Sequence, residues 1–373
     1  MSAGAPVRAG ALLIAGGGTA GHVLPALAVA DALVDAGVAM NDVHLVGARR
    51  GMEAELVPLT GFDLTLLDLR NFPRRVTARH LVAAAKLIVG VVSALRLVRR
   101  LRPRAVLSVG GYASVPPVVA AWLWRVPIVV LSYDAVPGLA SKVAGHLAAA
   151  SAVAFPSSPL RRQVLTGAPL RKAIVACEPA RDRAAARVAL ALPADRFVVL
   201  VTGGSLGSGA LNALIVDLAA TWSARHDVAI RLVTGTRNTT GLPASRDGHD
   251  GLLVQVVPFE ARMELAYAAC DVAVARAGAT TVAELAAIGV ASILVPWPLA
   301  AEDHQSVNAR WLGDAGGAVV VAERGLDASR LGAELDRLNE DVDVRTTMAS
   351  AARTVGHRDG AARVAELVLK VAR

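Results

Sequence analysis

Aromatic side chains make up only 3% of this 373-residue chain, although 54% of it is hydrophobic. The core is therefore aliphatic, built mostly of alanine, valine and leucine, which suits helices packed on parallel strands buried on both faces. Runs such as Ala105–Val109, Ile128–Leu131 and Ser292–Val295 read as strands of that kind. Cysteine is nearly absent. Cys177 and Cys270 alone exclude a disulfide scaffold or a Cys-rich zinc site, and they fit a reducing cytoplasm. No secretory signal precedes the first strand. The most apolar stretch, Ala113–Leu131, is broken by Pro116, Pro117, Arg125 and Pro127, so it reads as helix, turn and buried strand rather than a membrane span.

Negative charge is missing from one region altogether. Between Asp68 and Asp134 there is no acidic residue, while the same interval holds eleven basic ones from Arg70 to Arg125. Without them the chain has 28 basic against 31 acidic residues, so this interval supplies the whole formal excess of +8. Within it, Leu87, Ile88, Val91, Val92, Leu95 and Val98 share one arc of a helical wheel. Arg79, Lys86, Arg96 and Arg100 lie on another arc, and Trp122 and Trp124 follow nearby. Either the apolar arc packs on a sheet and only the cations are exposed, or the whole surface docks on anionic lipid. Nucleic acid is not expected as a partner, because no aromatic platform or DNA-binding motif accompanies the charge.

What is present is a repeated alternation of strand-like and helical patterns, giving an α/β fold with parallel sheets. Strands are expected near 11–15, 43–47, 64–68, 105–109, 128–131 and 152–155, then near 197–202, 229–233, 253–257, 271–275, 292–295 and 318–321. Two such sets, in a chain longer than one core usually supports, indicate two doubly wound, Rossmann-like domains. We expect domains at 1–166 and 196–373 around a linker at 167–195 containing a helix over 181–190. The last helix is a candidate to return to the first domain, and residues 239–250 read as a mobile loop.

Each half opens on a glycine-rich strand-to-helix turn: Gly16-Gly17-Gly18-Thr19-Ala20-Gly21-His22 and Gly203-Gly204-Ser205-Leu206-Gly207-Ser208. Glycine lets backbone approach an anion closely, and the N–H groups of the next helix carry partial positive charge, so both turns are shaped to hold phosphate. The first also fits the dinucleotide fingerprint. A dinucleotide site wants an acid closing the second strand, and the chain reads Val46-Gly47-Ala48-Arg49 there; Arg49 leaves an NADP phosphate as the alternative.

The run Gly17-Gly18-Thr19-Ala20-Gly21-His22-Val23-x-Pro25-Ala26-Leu27-Ala28 resembles the signature of the MurG family of peptidoglycan N-acetylglucosamine transferases. Gly110-Gly111-Tyr112-x-Ser114, Gly167-x-Pro169-Leu170-Arg171, Gly203-Gly204-Ser205-x-Gly207, Arg276-Ala277-Gly278-Ala279-x-Thr281-x-x-Glu284 and Gln305-x-x-Asn308-Ala309 follow in the family's order. The resemblance implies a GT-B fold, with an N-terminal acceptor domain and a C-terminal domain for the UDP-sugar. It implies inverting transfer from UDP-GlcNAc to undecaprenyl-linked lipid I at the cytoplasmic face of the membrane, giving lipid II, without a cofactor or a tightly held metal. A relative acting on another acceptor or UDP-sugar, or a non-catalytic UDP-sugar-binding member of a cell-wall complex, is the alternative.

By the same resemblance, His22 is the candidate base or positions the acceptor, with Thr19, Ala20 and Gly21 beside it. Gly278, Ala279, Thr280 and Thr281 would hold the diphosphate, Glu284 the ribose hydroxyls, and Gln305 the sugar hydroxyls. Ser205 and Arg171 would meet the nucleotide or its phosphates. Asn308, beside Gln305, is a further candidate for substrate binding; the alternatives are a solvated helix carboxylate for Glu284 and a helix surface residue for Asn308. The chain departs from the family around the cleft. Leu131-Ser132-Tyr133-Asp134 replaces His-Glu-x-Asn, which puts a carboxylate, Asp134, where a diphosphate contact or a second base is expected. Leu206 replaces a glutamine, and Ala168 and Glu260 are also atypical.

Overall fold

The computed structural model describes residues 10–69, 79–235, 245 and 251–372. The chain forms two compact units, one of residues up to 171 together with 358 onward, the other of residues 172–357. The mobile loop expected at 239–250 lies, except for Ser245, outside the described residues.

The first unit holds a seven-stranded parallel sheet. Its strands are β1 (Leu12–Ala15), β2 (Val43–Ala48), β3 (Asp63–Leu67), β4 (Ala105–Ser108), β5 (Ile128–Ser132), β6 (Ala150–Val153) and β7 (Gln163–Leu165), in the order β3-β2-β1-β4-β5-β6-β7. The six expected strands are found, the sixth two residues early; β7 is additional. Its three residues are all exposed at the sheet edge, so no buried aliphatic run announces it. Central strands follow the composition argument, with every residue of β1, β4, β5 and β6 buried.

The helix Arg79–Leu101 lays Ala83, Gly90, Ala94, Leu97, Val98 and Leu101 against this unit. Gly90 is needed there because a Cβ would press on Leu69 and Pro116. The last helix, Gly360–Val371, packs on the helix Ala20–Asp35 and beside β4, β5 and β6, burying Val364, Ala365, Leu367 and Val368. The stretch Ala113–Leu131 forms the end of a short 3₁₀ turn, the helix Val115–Leu123 and β5.

The second unit carries β8 (Phe197–Thr202), β9 (Val228–Val233), β10 (Leu253–Val257), β11 (Val272–Ala275), β12 (Ser292–Leu294) and β13 (Ala318–Val320), all parallel in the order β10-β9-β8-β11-β12-β13. Both sheets reverse their order beside the first strand, between β1 and β4 and between β8 and β11. In such sheets ligands bind outside the carboxyl ends at that point.

Residues 172–195, expected as part of a linker, are built into the second unit. Their helix runs Pro179–Ala189 and lies on the helix Met263–Ala269. A buried ion pair fixes it: Arg187 Nη2 donates to Asp271 Oδ2 at 2.7 Å and Nε to Ala269 O at 3.0 Å. Asp271 also accepts the Val198 N–H at 2.7 Å, which ties the segment to the first strand of the sheet. Removing one member of a buried pair leaves the other uncompensated. Asp271→Ala is therefore expected to cost about 3–5 kcal/mol, read as a lower midpoint of denaturant unfolding.

Candidate active site

At the switch point of the first sheet, the turns after β1 and β4 pack on each other. Gly16, Gly17 and Gly18 all have positive φ, as do Gly110 and Gly111. A Cβ on Gly16 would overlap Val109, and one on Gly111 would press on the carbonyl oxygen of Gly17. His22, in the first turn of the helix Ala20–Asp35, faces this junction. Its Nδ1 lies 3.1 Å from Thr19 Oγ1, and its ring meets Tyr133 edge-on with centroids 6.0 Å apart. Desolvation lowers the imidazole pKa below 6.5, while the charges of Asp134 and Glu53 oppose that shift. The structure thus places His22 beside Thr19 and within the field of Asp134.

Two features of this junction were not foreseen. Tyr133 is buried, burial pushes its phenol well above 10, and its hydroxyl has no hydrogen-bond partner among the described residues. Glu53, in the short helix Glu53–Leu56, is only 2% exposed and reaches into the first glycine turn. Its Oε2 accepts from Gly18 N at 2.8 Å and its Oε1 from Ala48 N at 2.6 Å. The Gly18 N–H of the first turn is thus satisfied by a carboxylate of the chain itself. The hint in the sequence is glycine at 47 and 51 shortly before an acidic residue at 53.

In the second unit the turn 203–208 leads into the helix Gly209–Thr221. Ser208 Oγ caps that helix, accepting from Leu211 N at 3.3 Å, and leaves Ser205 and Leu206 exposed on the turn. Beneath it lies Arg276, the residue after β11. Its Nη2 donates to Ser208 Oγ at 2.8 Å, its Nη1 to Val295 O at 3.1 Å, and it pairs with Glu323. One buried guanidinium so braces the carboxyl ends of β8, β11 and β12. Gly278 then caps the helix Ala279–Ile288, whose first turn contains no acid and whose opening is unobstructed at Gly278.

Glu284 and Asn308 are both buried, which removes the alternative of solvated positions on a helix surface. The Tyr267 hydroxyl donates to Glu284 Oε2 at 2.9 Å, and Asn308 Nδ2 donates to Ala277 O at 3.1 Å. Asn308 therefore holds the approach to Gly278 in place. Gln305 Oε1 accepts from Trp297 N at 3.0 Å. Ser205, residues 278–281, Glu284, Gln305 and Asn308 all belong to this second unit, whereas Arg171 closes the first. The atypical Glu260 is buried and pairs with Arg231 at 2.5 Å, a packing role inside the unit.

The basic helix of the first unit is only partly as expected. Val98 is buried against the unit, Leu87, Val91 and Leu95 are half-buried, and Ile88, Val89 and Val92 are exposed. Trp122, Leu123 and Trp124 are exposed at the end of the adjoining helix. Arg96 and Arg100 are exposed and help line a groove of about 380 Å³ with Arg49, Ser93 and Asp68. Lys86 is not a free cation, since it pairs with Asp68 at 2.5 Å. The side chain of Arg79 lies outside the described residues.

Residues 12–153 match the glycosyltransferase family 28 N-terminal domain, and residues 198–364 match the glycosyltransferase family 28 C-terminal domain. The chain belongs to glycosyltransferase family 28. It is 39% identical to the UDP-N-acetylglucosamine–N-acetylmuramyl-(pentapeptide) pyrophosphoryl-undecaprenol N-acetylglucosamine transferase of Nitrosococcus oceani, over 97% of this chain and 98% of that one. The protein of the same name from Alkalilimnicola ehrlichii is 40% identical over 97% and 99% of the two chains. MurG of Acinetobacter baumannii superposes with a TM-score of 0.72 at 28% identity, over 97% and 99% of the chains. The calicheamicin glycosyltransferase, at 18% identity and a TM-score of 0.65 over 98% of each chain, shares the fold. Within family 28 the chain is thus a member of the MurG group, a glycosyltransferase with the GT-B fold.

Among the charges around His22, that of Asp134 favours the imidazolium. Asp134→Asn is expected to move proton uptake by His22 to lower pH, readable by NMR titration of labelled histidine.

Proposed function

We propose that this chain transfers N-acetylglucosamine from UDP-N-acetylglucosamine to undecaprenyl-diphospho-N-acetylmuramoyl-pentapeptide (lipid I), inverting the anomeric carbon and giving lipid II. The observation that carries the reading is likeness along nearly the whole chain to transferases bearing that name. The geometry of each unit supports that reading. The acceptor hydroxyl oxygen forms the new bond to the anomeric carbon as the bond from that carbon to UDP breaks, and the hydroxyl proton must go to a base.

His22 is that base in our reading. With Nδ1–H donated to Thr19 Oγ1, Nε2 is the acceptor, and desolvation keeps the ring neutral near pH 7. Ala20 and Gly21, in the same helical turn, align the acceptor beside it. UDP departs with developing negative charge. The N-terminus of the helix Ala279–Ile288, entered through Gly278 and continuing with Thr280 and Thr281, is suited to stabilise that charge. Glu284, steadied by Tyr267, takes the ribose hydroxyls, and Gln305 takes those of the sugar. Ser205 and Arg171 serve the nucleotide and its phosphates, where the arginine fork suits phosphate oxygens.

The protein works as a peripheral enzyme at the cytoplasmic membrane face in this reading. Among the described residues no helix is long and apolar enough to cross a membrane. Ile88, Val89 and Val92 with Trp122, Leu123 and Trp124 offer an apolar contact, and Arg96 and Arg100 add attraction to anionic lipid of about 1 kcal/mol each.

A second reading, a transferase for another acceptor, is favoured by Asp134, whose carboxylate opposes a diphosphate. One assay separates the two. Purified protein given UDP-GlcNAc should release UDP only when a short-chain lipid I analogue is present, with a product heavier by one N-acetylhexosamine. Turnover that requires a different acceptor supports the second reading, and failure to bind any UDP-sugar sinks both. His22→Ala should lower kcat by about 10²–10⁴-fold. Ile88→Asp combined with Val92→Asp should abolish co-sedimentation with anionic vesicles while leaving transfer to a soluble acceptor intact.

A further inference from the structure

We propose that Glu53 is the positioning residue of the transfer site: its carboxylate fills the anion place of the first glycine turn and thereby fixes the geometry and the field around His22. A buried carboxylate is costly unless hydrogen-bonded. Here the cost is met by two backbone donors on neighbouring strands, Gly18 N beyond β1 and Ala48 N at the end of β2.

The surrounding sequence is shaped to the carboxylate. A Cβ on Gly17, Gly47 or Gly51 would overlap the Glu53 carboxyl or its stem, so three glycines clear the space it occupies. Turns of successive N–H groups are anion sites. In this one the anion is a side chain, carried by the short helix Glu53–Leu56. The turn therefore keeps one shape whether or not an acceptor is present, and His22, which follows it, starts from a fixed position.

The charged and titratable groups facing His22 come from several elements. Asp134 and Tyr133 stand beyond β5, and Glu53 stands on its short helix. Tyr112 lies beside Gly18, and Arg50 lies near Tyr112. Two carboxylates thus act on one imidazole, one partly exposed and one sealed beneath the turn. Asp134 can exchange its partners with solvent or substrate. Glu53 cannot, and it supplies a constant part of the field that prepares the histidine to take a proton.

The inference rests on the transferase reading, and the experiment keeps the two apart. Wild-type turnover with the lipid I analogue tests that reading alone. Glu53→Gln conserves shape but turns an amide donor toward one of the two backbone N–H groups. In the folded variant, kcat should fall by about 10²-fold with KM for UDP-GlcNAc unchanged, and His22 should take up its proton at lower pH in an NMR titration that needs no turnover. Glu53→Asp keeps the charge but not the reach, so kcat should fall similarly while the titration of His22 moves less. Wild-type kcat together with wild-type His22 titration in Glu53→Gln overturns the proposal. If Glu53→Gln does not fold, Gly51→Ala, whose methyl displaces the carboxyl group, should give the same loss of kcat; wild-type kcat there overturns it equally.

Discussion

Backbone at the carboxyl ends of the central parallel strands must be held in place after the ladder stops, and in each unit a single buried charge does this. In the first unit the charge is the Glu53 carboxylate, which joins the ends of β1 and β2 through Gly18 and Ala48. In the second it is the Arg276 guanidinium, which joins β8, β11 and β12 through Ser208 and Val295. A neutral side chain would supply fewer donors or acceptors in either place. Each glycine turn has its geometry because the group beneath it has full hydrogen-bonding demand and no access to water.

The two charges have opposite sign, and in the proposed reaction the sign matches the task proposed for each unit. Negative charge near His22 favours the imidazolium, which suits the base proposed above. Positive charge beneath the second turn, partly balanced by Glu323, lies in the unit whose helix opening at Gly278 is suited to a departing diphosphate. Two similar folds with similar turns are thereby specialised through what lies underneath the turns, more than through the turns themselves.

That distinction explains what the sequence reveals and what it conceals. Strands in both units were legible because parallel strands buried on both faces must be continuous aliphatic runs. The edge strand β7 escaped because exposed edges carry no such demand. Motif residues were found at their turns, since glycine spacing is a local property. The partners of those turns were not: Glu53 lies 35 residues from Gly18, and Arg276 lies 68 residues from Ser208. Asn308 and Glu284 were open to a surface reading because a polar residue on a helix looks solvated until a buried donor or acceptor is placed beside it. For the helix Arg79–Leu101, the wheel located an apolar arc but could not apportion it between sheet and solvent. Val98 went inward while Ile88 and Val92 stayed outside.

The helix Gly360–Val371 completes the unit that the chain begins, resting on the helix Ala20–Asp35. Synthesis proceeds from the amino end, so the first 171 residues emerge from the ribosome with that helical face uncovered and wait while 172–357 are made. The middle of the chain is able to reach its final form before the beginning does. The nascent first unit thus carries an apolar face on the helix Ala20–Asp35 that stays uncovered until residues 360–371 follow.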